Sequence, residues 1–187
     1  MEHSVDVTLS GTPLVATTAS GTFSADALDR GTKVLLESVP KPPTTGTLVD
    51  VGCGWGPITL ALALESQDAR VIGVDVNERA RELTTENAAT HNLENVQVVA
   101  PDEFPEDTQI DCIWSNPPIR IGKEALHELL TTWLNRLSPA GVAYLVVAKQ
   151  LGSDSLQRWI AGGEPGDFSC ERLTTDKGFR VLEVRRR

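Results

Sequence analysis

From residue 47 onward, the chain alternates between two hydrophobic periods. Short apolar or β-branched runs are followed by segments in which apolar residues recur at helical spacing, which predicts alternating strands and helices. The predicted strands are 47–51, 70–74, 96–99, 110–115 and 142–147, and the predicted helices are 57–65, 78–89, 123–137 and 155–161. Such an alternation folds into a parallel sheet with helices on both faces. The run 142–147 is apolar throughout, as expected of a strand that is covered on both sides.

The two ends of the chain follow other patterns. Residues 1–22 alternate polar and apolar positions, which predicts an extended segment or a hairpin. Residues 24–39 predict a helix with Ser24 as its N-cap, because apolar residues there share one face and prolines follow at once. The runs 168–173 and 180–184 predict a closing hairpin that adds an antiparallel strand.

Together these elements predict one α/β domain over residues 1–187. Its core, residues 46–187, is expected to be a Rossmann-like sheet of seven mostly parallel strands, with helices on both faces and an antiparallel C-terminal strand. Residues 1–45 would form a preface made of the extended segment and the first helix. Ligands in such a sheet bind beyond the carboxyl ends of the strands, near the point where the strand order reverses.

The amino-acid composition indicates the general class of the protein. The contents of 40% hydrophobic and 23% charged residues are ordinary for a globular chain. No apolar run reaches about 18 residues, and no basic start precedes an apolar core, so we expect a cytoplasmic protein without a membrane span or signal peptide. The cysteines, Cys53, Cys112 and Cys170, are far apart. Their spacing argues against disulfides and, with three scattered histidines, against a metal site.

Charge bears on the choice of partner. A net charge of −9 argues against a broad basic face for nucleic acid. Net charge does not describe the local field, however, and an acidic body can carry a basic rim. We expect Arg120, Lys123, Lys177 and Arg180 to form such a rim at the mouth of the ligand pocket. The alternative interpretation is that these cations serve solubility alone.

A glycine-rich loop, Asp50–Gly56 with the sequence DVGCGWG, joins the first of the alternating strands to its helix. Glycine lets the backbone turn sharply and approach a ligand, because it has no Cβ. The N–H groups at the start of the following helix suit a polar or anionic ligand. The GxGxG spacing does not match the dinucleotide fingerprint, which favours a ligand without a pyrophosphate. A tight structural turn is the alternative.

Two further motifs end strands of the predicted sheet. Asp75 follows Gly54 by about 20 residues, the spacing of an acid that binds ribose hydroxyls; capping of the next helix, as expected of Asn77, is the alternative. The run 115–119, SNPPI, ends the strand 110–115. Its prolines make Asn116 and Pro117 stiff and remove backbone donors, so the turn can present oxygen acceptors to an –NH₂ group. A rigid turn without chemistry is the alternative.

In this order the three motifs resemble class I methyltransferases that act on exocyclic or amide nitrogens. Two flanking segments resemble, more specifically, the ribosomal RNA small-subunit methyltransferases that modify guanine N2. The first has Phe23-Ser24, Leu28-Asp29-Arg30-Gly31-Thr32 and Leu35-Leu36 at the positions of FS…LDxGT…LL. The second, KGFRVLEV, stands in place of the family's GYRVL. The resemblance covers residues 20–187, including NPPIRIGKEALHELL.

The resemblance implies a class I methyltransferase fold, S-adenosylmethionine as methyl donor, and RNA, as ribosomal RNA or the small ribosomal subunit, as substrate. The implied cofactor-binding residues are Asp50, Gly52, Cys53, Gly54, Gly56, Asp75, Asp102 and Asn116. Among these, Asp50 would hold the ammonium group, Asp75 the ribose hydroxyls and Asp102 the adenine amine. Asn116 and Pro117 would be catalytic, and the implied substrate-binding residues are Pro118, Ile119, Arg120, Lys123 and Phe179.

Two features depart from the family pattern. Many relatives have an aromatic residue directly after NPP that can stack on the target, whereas this chain has Ile119. Several relatives also carry a second, N-terminal methyltransferase-like domain, so here RNA docking is expected to use the N-terminal preface and the C-terminal hairpin. Two other functions stay open at this point. One is methylation of glutamine N5 in a protein, which usually has NPPY, and the other is a nucleotide-binding module without activity.

Overall fold

The alternating strands and helices form a seven-stranded sheet with helices on both faces in the computed structural model, which describes residues 1–187. The strands are β1 (Glu2–Leu9), β2 (Thr12–Ala19), β3 (Thr47–Val51), β4 (Arg70–Val74), β5 (Val96–Val99), β6 (Ile110–Ser115), β7 (Leu137–Ala148), β8 (Phe168–Asp176) and β9 (Phe179–Arg186). The α-helices are α1 (Arg30–Ser38), α2 (Pro57–Glu65), α3 (Glu78–Thr90), α4 (Lys123–Leu134) and α5 (Ser153–Ala161). Three short 3-10 helices cover Pro101–Glu103, Ile119–Ile121 and Lys149–Leu151.

The strand order of the large sheet is β5-β4-β3-β6-β7-β9-β8. Strands β3 to β7 are parallel, whereas β9 is antiparallel to both β7 and β8. The chain moves outward from β3 to β5 and then returns to β6, so the strand order reverses between β3 and β6. This arrangement confirms the predicted fold class and puts the switch point, where ligands of such sheets bind, between the glycine loop and the NPP turn.

An apolar core lies on each face of the large sheet. Neighbouring residues of a strand point to opposite faces, so Leu48 belongs to one core and Val49 to the other. The first core contains the buried residues of α1, α2 and α3, and the second contains those of α4 and α5. Helices α4 and α5 therefore share one face of the sheet, and their outer surfaces border each other.

The N-terminal preface forms the predicted hairpin, in which β1 and β2 pair as a separate antiparallel ribbon. Its apolar side chains, including Val7 and Leu9, join the first core. Asn87 of α3 anchors the ribbon, because its amide accepts from Thr17 N–H at 2.7 Å and donates to Thr17 O at 2.9 Å. The same amide donates to Trp55 O at 2.9 Å, which ties the hairpin to the glycine loop.

Two predicted helix boundaries are wrong. Helix α1 begins at Arg30 rather than near Ser24, because the Asp29 carboxylate caps it by accepting from Thr32 N–H at 3.0 Å. Ser24 has a φ of 52° and lies in a turn, where its carbonyl accepts from the Trp55 indole at 3.1 Å. Helix α4 ends at Leu134 instead of Leu137, which starts β7 beside β6. A buried leucine fits either element, so hydrophobic spacing alone does not distinguish them.

No helix of the chain combines the length and the apolar character that crossing a membrane requires. The three cysteines are buried free thiols. Burial raises the pKa of the Cys112 and Cys170 thiols to about 12 and that of Cys53 well above its usual range. These side chains are therefore neutral and pack as small apolar residues.

Candidate cofactor and substrate site

The glycine loop adopts a backbone that only glycine occupies without strain. The φ angles of Gly52, Gly54 and Gly56 are 82°, 57° and 107°, in the left-handed region. A Cβ on Gly56 would also lie 3.0 Å from the Thr84 side chain. The N–H groups of Gly52 and Cys53 both donate to Val74 O, at 2.7 and 3.0 Å, which binds the loop to the end of β4. The backbone conformation thus requires glycine at all three positions, and space requires it at Gly56 as well.

Asp75 holds the loop against the start of α3. Its carboxylate accepts from Gly54 N–H and from Asn77 N–H, each at 2.9 Å. Asn77 is the N-cap of α3, as the sequence predicts. An ionised carboxylate has about four acceptor positions, and Asp75 is half-buried rather than enclosed. It can therefore support the loop and still accept from the hydroxyls of a ligand.

Asp50 lies beneath the loop and is fully buried. Its Oδ2 accepts from the Thr59 hydroxyl at 2.7 Å, whereas Oδ1 has no hydrogen-bond partner. Burial raises the pKa of Asp50 from 3.8 to about 7, although the hydrogen bond from Thr59 opposes this. Oδ1 is therefore an acceptor that no residue of the chain satisfies, and the predicted contact of Asp50 with a ligand's ammonium group stays a prediction. Asp50 supports the loop from below.

Asn116 is held by a residue that the sequence analysis gave no role. Its Nδ2 donates to Asp29 Oδ2 at 2.8 Å and to Thr32 Oγ1 at 3.2 Å. A carboxylate can only accept, so the amide nitrogen must face Asp29 and Asn116 Oδ1 must face away. The residue before Asn116, at the end of β6, is fixed as well, since Ser115 Oγ donates to Val51 O at 2.7 Å. The side chain that can present an acceptor to a substrate is thereby fixed in orientation.

The two segments that carry the family resemblance meet beside Asn116. A Cβ on Gly31 would lie 3.0 Å from the Phe179 ring and 3.1 Å from Asp29 Oδ2. Glycine at position 31 therefore allows the Phe179 ring to pack closely against the first turn of α1. Phe179 is half-buried at the start of β9. Phe179 and Asp29 thus lie on either side of Gly31, and the predicted contact of Phe179 with substrate stays a prediction.

A narrow crevice of about 30 Å³ joins these parts. Its walls are the glycine loop with the start of α2, Asn116, and the segment from Phe23 to Thr32. A Cβ on Gly52 would lie 4.0 Å from both Asn116 O and Pro118 Cδ, so the loop and the NPP turn face each other. Gly54 has open space where a Cβ would lie. Asp75 binds Gly54 N–H, so the crevice lies between Asn116 and the loop that Asp75 holds.

The remaining predicted residues lie around this edge of the sheet. Asp102 is exposed in the 3-10 helix after β5, and Ile119 is half-buried in the 3-10 helix after the NPP turn. Pro117 is buried and Pro118 is exposed. Arg120 and Lys123 are exposed in the segment that follows the NPP turn.

The basic rim is smaller than predicted. Lys177 is exposed in the turn between β8 and β9, which reaches the carboxyl end of β7 because Lys149 N–H donates to Gly178 O at 2.8 Å. Arg180, in contrast, is 6% exposed and forms an ion pair with Asp154. Arg180 is thus a structural residue that joins β9 to α5. The sequence could not indicate this, since its partner is 26 positions away.

Comparison with known proteins places this site in a family. The family model of the methyltransferase small domain matches residues 14–183. An uncharacterized protein of Bacillus subtilis (strain 168), YbxB, is 37% identical over 142 residues, which cover 74% of this chain and 71% of that protein. Ribosomal RNA small subunit methyltransferase C of Salmonella choleraesuis (strain SC-B67) is 39% identical over 112 residues, or 59% of this chain and 32% of that protein.

A solved structure has the same fold. It is the T. thermophilus 16S rRNA N2 G1207 methyltransferase (RsmC) in complex with AdoMet and guanosine, with a TM-score of 0.84 and 22% sequence identity. The alignment covers 100% of this chain and 51% of that chain. The chain thus spans about half of that protein and about a third of the Salmonella relative. It belongs to the methyltransferase small domain family and is an S-adenosylmethionine-dependent methyltransferase with a class I fold.

Proposed function

We propose that this methyltransferase transfers a methyl group to N2 of a guanine in small-subunit ribosomal RNA. Two observations from relatives support this substrate. The ribosomal RNA small subunit methyltransferase C proteins are 37–39% identical over the matched part, and the T. thermophilus structure has AdoMet and guanosine bound to the same fold. The geometry around Asn116 supports the nitrogen chemistry independently of these names.

The observation that carries the proposal is the hydrogen bond from Asn116 Nδ2 to Asp29 at 2.8 Å. It leaves Asn116 Oδ1 as a free acceptor, and Asn116 O faces Gly52 across the crevice. Pro117 and Pro118 add no N–H donors that would compete for these oxygens. Two acceptors at one site match an exocyclic amine, which has two N–H groups to donate.

These acceptors would orient the amine for methyl transfer. S-adenosylmethionine, when bound, supplies a methyl group on a positively charged sulfur. That methyl group would pass to the amine nitrogen as the carbon–sulfur bond breaks, and the nitrogen would release one proton to solvent. Asn116 holds the two N–H groups so that the lone pair points toward the glycine loop, which is a contribution from positioning. Asp29 is a positioning residue, because it acts on the substrate only through Asn116.

The residues for the methyl donor would lie along the crevice from Asp75 to Asn116. We assign the ribose hydroxyls to the open acceptor positions of Asp75 and the amino-acid portion to Gly52 and Gly54. Asp102, exposed after β5, would accept from the adenine amine. The exposed cations Arg120, Lys123 and Lys177 at this edge would favour a phosphate-bearing substrate despite the net charge of −9.

The test is transfer of tritiated methyl groups from S-adenosylmethionine to total RNA, small ribosomal subunits and total protein, followed by nucleoside analysis. We expect label in RNA, recovered as N2-methylguanosine, and its loss in Asn116→Ala. Label in protein with none in RNA would replace this proposal with glutamine or another amide as substrate. Label in a nucleoside other than N2-methylguanosine would refute the assignment of the nitrogen.

A further inference from the structure

An open groove of about 550 Å³ lies between α4 and α5, outside the crevice described above. It is lined on one side by Lys123 and His127 and on the other by Leu151, Arg158 and Trp159. Its floor is apolar, because Leu126, Val147 and Leu156 of the second core close it from below. Two of its lining residues, Ile119 and Lys123, are also among the substrate-binding residues that the sequence predicts.

The groove contains an aromatic pair. The rings of His127 and Trp159 are stacked, with centroids 3.7 Å apart and planes 11° apart. Burial and the nearby Lys123 lower the pKa of His127, so this ring is neutral at physiological pH. The two rings cover each other's inner faces, so the pair can offer a ligand only an outer, uncharged ring face. Leu151, which also lines the groove, is 46% exposed. Flat aromatic surfaces of this kind stack on unpaired nucleobases of any sequence.

The charges at the groove favour an anionic ligand. Lys123 and Arg158 are exposed, and neither forms an ion pair or a side-chain hydrogen bond. Glu164 is the one acidic residue in the lining. Asp154, the nearest acid on α5, is neutralised by its ion pair with Arg180. Two free cations beside an aromatic surface differ from the acidic average of the chain and match the phosphates of a nucleotide.

The groove is also continuous with the substrate turn. Ile119, which lines the groove, is three positions after Asn116, and Lys123 starts α4 after the short 3-10 helix Ile119–Ile121. A strand whose target base reaches Asn116 would therefore leave the site over Ile119. From there it would enter the space between α4 and α5.

We propose that this groove binds an unpaired nucleotide that adjoins the target in the same RNA strand, by stacking its base on the Trp159–His127 pair and placing phosphates beside Lys123 and Arg158. The identity of the strand rests on the proposed function. Ile119, which follows NPP, has no aromatic ring and cannot stack on a base. The groove would supply base stacking at a neighbouring nucleotide instead.

The test is binding of a fluorescein-labelled oligouridylate, measured by anisotropy across a salt series. This RNA is single-stranded and has no guanine, so it reports on the groove rather than on the Asn116 site. In Lys123→Gln/Arg158→Gln we expect Kd to rise about tenfold and the slope of log Kd against log salt to decrease by about 1.4, since each phosphate contact on a single strand contributes about 0.7. The matched control is Lys41→Gln/Arg70→Gln, which removes the same charge at the opposite edge of the sheet and should leave both quantities unchanged.

The aromatic surface is tested separately. Trp159→Leu should raise Kd about tenfold without changing the salt slope, because stacking releases no counterions. Trp159→Phe, which keeps a flat ring in a folded protein, should restore most of the binding. Equal weakening in the two double glutamine variants, or unchanged Kd in Trp159→Leu, would overturn the proposal.

The two proposals fail in different ways. If the wild-type protein produces no N2-methylguanosine in RNA, the proposed function is wrong whatever the oligouridylate shows. If RNA is methylated but oligouridylate binding is the same in the wild type and both double variants, the groove proposal alone is wrong.

Discussion

The crevice beside the glycine loop and the groove between α4 and α5 border the same edge of the sheet but are built differently. In the crevice, which measures about 30 Å³, the polar groups bind one another, as in the Asn116–Asp29 and Gly54–Asp75 contacts. In the groove, which measures about 550 Å³, Lys123 and Arg158 have no ion-pair partner. The polar groups of the crevice are therefore held in place without a ligand, whereas the two cations of the groove are available to bind one.

The difference follows from what each site would have to do. Methyl transfer requires the nitrogen and the methyl carbon in line within a few tenths of an ångström, so its acceptors must be held rigidly. Binding a flexible strand requires area and charge, which mobile side chains provide. Changes in the crevice should therefore act on kcat or on cofactor affinity, and changes in the groove on KM for RNA.

The largest effect is expected at Asn116. Asn116→Ala should lower kcat about 10²–10³-fold, by analogy with deletion of one fixed hydrogen-bonding group in a catalytic site. Binding of S-adenosylhomocysteine, measured by calorimetry, should be nearly unchanged, because the glycine loop and Asp75 are intact. A small loss of kcat would mean that the NPP turn is a scaffold, and the comparison above would fail.

The second-largest effect is expected at Asp29, the residue that orients Asn116. Asp29→Ala should reduce kcat about 10–100-fold through misplacement of the amide. It should also lower the free energy of unfolding by about 1 kcal/mol, because the α1 cap is removed.

An exchange of the two side chains tests the pair itself. Asn116→Asp alone should be inactive, since it places a second carboxylate beside Asp29. The exchanged pair Asp29→Asn/Asn116→Asp again has a donor facing an acceptor and should recover part of kcat. Recovery of stability without recovery of kcat would reduce Asp29 to a helix cap.

Asp75 is expected to affect cofactor binding rather than turnover. Asp75→Ala should weaken binding of S-adenosylmethionine by about 1–3 kcal/mol, the scale of hydrogen bonds to a charged group. Calorimetry measures this change, and Asp68→Ala, which removes an exposed carboxylate, is the control. Normal affinity in Asp75→Ala would show that the carboxylate serves only Gly54 and Asn77.

The last prediction concerns Asp50 beneath the crevice, where we expect the smallest effect on activity and an effect on stability instead. The pKa of Asp50 is about 7 in the folded protein against 3.8 ordinarily, so the folded state holds this proton more tightly than the unfolded state. As pH rises from about 4 to about 7, the unfolded chain loses the proton first, and the free energy of unfolding should fall by about 1 kcal/mol per pH unit. Above pH 7 this contribution is lost and the slope ends.

Chemical denaturation across this pH range measures the slope. In Asp50→Asn, which cannot ionise, we expect that part of the slope to disappear, whereas Asp68→Asn should keep it. If the free energy of unfolding changes equally between pH 4 and 7 in the wild type, Asp50→Asn and Asp68→Asn, the raised pKa of Asp50 is contradicted.

The elements of the sheet could be predicted because their signals are local. Strands β3, β4, β5 and β6 and helix α2 have the bounds that hydrophobic spacing indicates, since a period of two or of 3.6 residues is visible within a few positions. The glycine loop and the NPP turn could be recognised for the same reason. The start of α1 could not, because its cap, Asp29, competes with Ser24 and only the packing of Trp55 against the turn decides between them.

The sequence by itself thus determined the α/β fold, the glycine loop, Asp75 after β4 and the NPP turn after β6, because each depends on residues that are neighbours in the chain. Tertiary structure alone decided that Asp29 orients Asn116 across 87 positions, that Arg180 is paired with Asp154 rather than free at the rim, and that His127 and Trp159 stack in one groove. These contacts depend on how α1, α4, α5 and β9 pack around the sheet. Packing is set by the summed fit of both cores, which no short stretch of sequence contains.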